Sequence, residues 1–198
     1  IGQAAVERGV TLEEVINYAA TQETGLPPAP SGHDWPPIIT LGSDEFRFVT
    51  SSAELSSDFR HRLETDVAQQ VRQLLDQYGV DVVEIVGHTD EQPIRSTQQS
   101  TLDTMAIPVL NGAAPITELV PVDNAGLGLA RAIAVANVLE QALGSTVVKI
   151  VPLSGAQLIM PGDVVSSGLN PNNDRDRRRV EELCRRDRVE ASRQARRG

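Results

Sequence analysis

Residues 82–94 read VVEIVGHTDEQPI. Val80 to Val86 is a largely β-branched run in which Glu84 stands out, the composition of a strand covered on both faces. Gly87 follows, then His88, Thr89 and Asp90 in a row, with Pro93 closing the stretch. In an open α/β sheet the carboxyl end of a strand is where ligands bind, so the polar trio marks a candidate site. An ordinary turn is the alternative.

The flanking sequence says what kind of sheet this strand joins. Upstream, FRFVT at 46–50 alternates Phe46, Phe48 and Thr50 on one face, the period of a short strand. From Leu55 the period lengthens: Phe59, Leu63, Val67, Val71, Leu74 and Tyr78 recur every three or four residues, and Gly79 stands where a left-handed cap ends a helix. Downstream, residues 91–123 carry five prolines or glycines and no clear period, a long connection of the kind that is functional or disordered. Asn124 to Leu143 is an alanine-rich helix of low charge, hence largely buried, closed by Gly144. Thr146 to Leu153 reads as a third strand ended by Pro152 and Gly155, and 161–174 as a glycine- and asparagine-rich loop. The order is an α/β fold of βαβ type with right-handed crossovers.

Both ends differ from this core. Residues 3–20 are helical in pattern, and 25–37, GLPPAPSGHDWPP, form a linker or strap. The expected organisation is a lead and linker at 1–37, a domain at 38–183 with its insertion at 91–123, and a basic tail at 184–198. Residues 175–198 hold ten arginines and five acidic residues, a net +5, which leaves −14 of the total −9 for the first 174. So acidic a body argues against a nucleic-acid surface, and the tail reads as a solvated terminus. The chain opens at Ile1 without the pattern of a signal peptide, and is read as an excised piece, with an anchor or export signal expected upstream. Its one cysteine, Cys184, permits no internal disulfide.

Common catalytic and cofactor patterns are missing. His33, His61 and His88 have no metal-ligand spacing, no G-x-S-x-G elbow occurs, and GLGLAR at 126–131 is not a dinucleotide fingerprint. The residues therefore point to no catalytic group, no metal and no cofactor. What remains is a charge constellation of Asp90, Arg131 and the triplet Arg177 to Arg179. A structural salt bridge between Asp90 and Arg131 accounts for part of it without any ligand.

Three stretches in order, GHTD at 87–90, LGLARAIAVANVL at 127–139 and RRRVE at 177–181, resemble the OmpA-like peptidoglycan-binding domain, over about residues 44–183. The resemblance implies a mixed sheet with helices packed on it and a pocket for the diaminopimelate end of a peptidoglycan stem peptide. Asp90 would take its ammonium and Arg131 its carboxylate. Asn124 and Arg178 would line the pocket, with Thr89 and Ser51 as weaker members. The chemistry fits: a zwitterion needs one fixed anion and one fixed cation, and a planar guanidinium holds a carboxylate through two parallel bonds. No bond-making is required.

This chain departs from the family pattern in places. Arg131 lies 41 residues after Asp90, far more than the family spacing, so the insertion is expected to be a lid or partner loop. Gly128 stands where the family has serine, and Arg177 where it has asparagine, which is expected to make the pocket edge more basic. The segment VEELCRRDRVEASRQ reads helical where the family has a strand.

GHTD followed two residues later by PI is similar to stator subunits of ion-driven motors, of the flagellar MotB type and of Zorya phage-defence complexes. That branch implies a periplasmic domain, an inner-membrane anchor with a membrane-embedded partner subunit, and a homodimer; tethering to the outer membrane is the alternative. Two other functions compete: a protein-interaction module using 91–123, and an enzyme on wall peptide with His88 or Asp90 as general base.

Overall fold

The computed structural model describes residues 39–41, 48, 51–144, 149–169, 172, 174 and 176–185. All of these fall in the larger of two compact units, residues 35–198. The helical lead, the proline-rich linker and residues 186–198 of the expected tail lie outside the described residues, as does most of the FRFVT strand. Phe48 is described, in a single bridge to Leu55.

Four strands form a mixed sheet in the order β1 (Ile39–Leu41), β6 (Val180–Arg185), β2 (Val82–His88) and β3 (Lys149–Ala156). β2 and β3 run parallel, whereas β6 is antiparallel to both β1 and β2. Thus the fold is α/β with helices on a mixed sheet and a long insertion between β2 and the helix before β3.

The first helical stretch runs as α1 (Ser57–Arg62), a π segment (Leu63–Val67) and α2 (Ala68–Tyr78). The Ser56 side chain opens it by accepting from the Phe59 N–H. Gly79 ends it at φ +58°, in the expected left-handed cap. The stripe read from the sequence is the buried one: Phe59, Leu63, Val67 and Val71 meet Leu41, Val83, Ile85, Val135, Leu139, Val180 and Cys184 in the main core.

The insertion is more ordered than its sequence suggested. It holds a helix, α3 (Leu102–Leu110), and a 3-10 turn (Ile116–Glu118). Together they cover the outer side of α4 (Asn124–Leu143) with a second apolar cluster of Val109, Leu119, Ala130 and Ile133 joined by Ala53. This gives α4 apolar neighbours on two sides, the reason its sequence is so rich in alanine and poor in charge.

Two strand expectations need correction. β3 continues through Pro152 and Gly155 to Ala156, because a proline costs an edge strand no ladder bond when its missing N–H faces outward. The segment after Arg179 is a strand as far as Arg185, not a helix, and it takes in Cys184, which was assigned to the tail. Its alternating buried residues Val180, Glu182 and Cys184 face the core, so tertiary pairing overrides local helix preference. Within 161–174, expected to be loop, Val164–Val165 pairs with Ile159–Met160 in a short hairpin, β4 and β5.

Candidate functional site

A close approach of helix and sheet sets the site's position. A Cβ on Gly87 would lie 2.0 Å from the Gly128 carbonyl oxygen, and one on Gly128 would lie 2.4 Å from Ser154 Oγ. Gly87 is therefore a contact residue inside β2 where a turn was expected, and α4 crosses directly over the carboxyl ends of β2 and β3. Ser154 Oγ fills the space beside Gly128 and donates to the Ala125 carbonyl at 2.7 Å. Asp123 caps α4 by accepting from the Gly126 N–H at 2.7 Å.

This packing brings Asp90 and Arg131 to one place. Asp90 follows β2, is 5% exposed, and accepts from the Gln92 N–H at 3.2 Å, the Asp174 N–H at 3.3 Å and Arg178 Nη1 at 2.5 Å. Arg131, two turns into α4, is 0% exposed. Its Nε donates to the Ser52 carbonyl at 3.1 Å, its Nη1 to the His88 carbonyl at 3.3 Å, and its guanidinium lies 4.9 Å from the Phe48 ring centroid. Burial pushes the Arg131 pKa down to about 10; the Arg178 charge adds to this and the Asp90 charge opposes it. Arg178 thus bonds the Asp90 carboxylate, and Arg131 lies near enough to both to feel their charges.

The other expected members differ in their part. Asn124 Nδ2 donates to the Gln92 carbonyl at 3.2 Å, tying the start of α4 to the loop that carries Asp90. Thr89 is buried; its N–H donates to the Ala156 carbonyl at 2.8 Å, and its Oγ1 has no partner among the described residues. Ser51 sits in an exposed turn at φ +58°, and it is the carbonyl of the next residue, Ser52, that reaches Arg131.

These groups stand on a fold that other solved structures share. A fragment of the periplasmic domain of Helicobacter pylori MotB superposes with a TM-score of 0.51 at 18% identity, covering 83% of this chain and 92% of its own. A longer MotB periplasmic fragment gives 0.51 at 18%, covering 90% and 87%. In fold the chain is a MotB-like domain. No protein-family model and no curated protein matches it.

Around this site of the MotB-like fold run two further ion pairs that the sequence did not announce. Arg177 was expected to make the pocket edge more basic; instead it is buried and neutralised, with Nη1 2.7 Å from Glu91 Oε1 and Nη2 donating to the Gln157 carbonyl at 2.6 Å. Ser166 Oγ donates to the same Glu91 oxygen. Arg179 donates to Glu181 at 2.6 Å and to the carbonyls of Ile159 and Met160, so both arginines clamp the β4–β5 hairpin. His88 Nε2 stands 3.3 Å from Glu181 Oε2, within ion-pair range but off line for a hydrogen bond. His88, then Arg179, hold Glu181 down at about 2 against its burial. Of the two partners, Arg179 with its short aligned bond is the firmer. The one available signal was Glu91 itself, an acid placed beside the candidate ligand and matched by a surplus of arginines.

Proposed function

We propose that this chain is a non-catalytic, periplasmic wall-anchoring domain that holds the diaminopimelate end of a peptidoglycan stem peptide. The observation that carries the reading is the gathering of Asp90, Arg131 and Arg178 at the carboxyl end of β2, on a fold shared with MotB periplasmic domains. One carboxylate and two guanidiniums complement an ammonium next to a carboxylate, and their low exposure strengthens each contact. Asn124 and Thr89 border the same place with neutral polar groups.

The local chemistry favours binding over catalysis. Asp90 is ion-paired rather than held ready as a base. His88 is buried against Glu181, and burial pushes the Cys184 thiol up to about 11, which leaves it a poor nucleophile. As a stator subunit the protein would work as a homodimer, tied upstream to the inner membrane beside a membrane-embedded partner. Among the described residues no helix is long and apolar enough to cross a membrane.

Co-sedimentation with purified sacculi tests the reading. Losing one charge-assisted contact costs about 1.5–3 kcal/mol, so Asp90→Asn should weaken pelleting by about tenfold or more. Arg131→Ala should do the same, with melting checked because this side chain is also packed. Equal pelleting of wild type and both variants would reject the pocket. The interaction-module reading would then gain ground, since Val109 and Ile116 of the insertion face Ala134 and Asn137 of α4 across a cleft of about 420 Å³, and the insertion bears an exposed Ile107.

A further inference from the structure

β6 buries one acidic side chain that the proposed function does not use. Glu182 lies on the core face of the sheet, is 0% exposed, and has no hydrogen-bond partner at either carboxylate oxygen. Its charged form would be buried without a counter-ion, so the group has to reach water before it can ionise. The surroundings supply no cation. β2 turns Val83 and Ile85 to this face and Glu84 and His88 to the other, and β1 brings Ile39 and Leu41. α2 brings Val71, while its Arg72 and Asp76 are exposed. Cys184, two residues along β6, is the one titratable neighbour among the described residues; burial, and then the Glu182 charge, push its thiol up.

β6 opens to water more easily on one side than on the other. On its inner side it pairs with β2 from Val82 to Gly87, and Val83 and Ile85 there are fully buried in the main core. On its outer side it pairs only with β1, an edge strand of three residues that gives the core Leu41 in full and Ile39 in part. Ile39 is the direct cross-strand neighbour of Glu182. We propose that β1 is a proton-gated clasp: while Glu182 keeps its proton the strand ties the preceding chain to the sheet, and loss of that proton through local opening releases β1. The direction follows from burial, which pushes the Glu182 pKa from 4.5 up to about 8. The closed state keeps a proton that the open state gives up, so release is favoured as pH rises from 4.5 to about 8 and no further. β1 follows the proline-rich stretch at 25–37, and each residue set free lengthens that tether by up to about 3.5 Å. The clasp stands whether or not the pocket at the end of β2 holds a wall peptide.

Amide hydrogen exchange of the full chain, followed by NMR and corrected for the intrinsic pH dependence of exchange, tests this. In wild type the β1 amides that bond β6 should be less protected than those of β2, and their protection should fall about tenfold per pH unit between pH 5 and 7.5. In Glu182→Gln, which keeps the shape and removes the titration, β1 protection should stay level over the same range. Three results would each overturn the clasp. Constant β1 protection in wild type means that the strand frays without exposing Glu182. Protection equal to that of β2 at every pH means that β1 opens only with the whole domain. A fall that persists in Glu182→Gln belongs to another group. The first two comparisons need wild type alone, so they decide the matter even if the variant does not fold.

Discussion

Glu182 sits in the middle of β6 with its side chain on the core face, between Val180 and Cys184 and in register with Ile85 and Ile39. It is 0% exposed, and neither carboxylate oxygen has a partner among the described residues. Burial pushes its pKa from an ordinary 4.5 up to about 8. The folded protein therefore keeps this proton over a range in which the unfolded chain has lost it, and stability falls as pH rises. The contribution is fully present below 4.5 and gone above about 8. At about 1.4 kcal/mol per pH unit, the loss is about 3 kcal/mol at pH 7 and at most about 5 kcal/mol above pH 8. Glu182→Gln keeps the shape and removes the charge, so the difference between variant and wild type isolates this one group. Urea unfolding from pH 5 to 8.5 should show the variant gaining on wild type by several kcal/mol as pH rises, with near parity at pH 5. Glu181 does not blur the comparison: its pKa is lowered to about 2, so its contribution is lost only as pH falls below 4.5. A difference that stays constant across the range would refute the claim that Glu182 is buried without a counter-charge.

Two further outcomes follow from packing and charge. Gly87→Ala places a Cβ 2.0 Å from the backbone oxygen of Gly128, so α4 has to lift off the sheet; loss of the cooperative melting transition is expected, and a melting temperature near wild type would contradict the contact. Glu91→Gln leaves Arg177 as an unpaired buried cation and should cost about 3–5 kcal/mol in denaturant unfolding, whereas a Glu91→Leu, Arg177→Met double variant should recover most of that. If the double variant is no more stable than the single one, the stranded charge is not the cause.

How much of this could be read from the sequence depended on whether local and tertiary forces agreed. α4 has the expected limits, Asn124 to Leu143, because its period, its alanines and Gly144 all point the same way. The helix ending at Gly79 is equally legible, although the π segment at 63–67 left no mark in the pattern. β2 is displaced two residues toward its carboxyl end, so His88 becomes a strand residue turned toward Glu181, and the polar turn starts at Thr89. The last strand could not be seen, since Glu181, Glu182 and the arginines around them favour a helix locally and only pairing with β1 and β2 decides otherwise. The helix in the insertion was hidden for a related reason: Pro108 breaks its pattern, and α4 supplies the apolar surface that supports it.

The arginine triplet shows best what a resemblance adds to a reading of residues. Residues 177 to 179 are three identical side chains, and only the likeness to the OmpA-like pattern singled out Arg178 for the pocket. In the fold, Arg177 and Arg179 bond the backbone of the 157–160 segment and take Glu91 and Glu181 as partners, while Arg178 alone reaches Asp90. The first and third arginines are thus committed to holding the hairpin, and removing either takes a cation from a part-buried carboxylate. Arg178 has a partner that is itself a candidate ligand group, so its loss redistributes charge inside the pocket and leaves the clamps on either side intact. A charge-neutral replacement there should therefore alter which ligand binds more than it alters how firmly the domain folds. The same replacement at 177 should do the reverse.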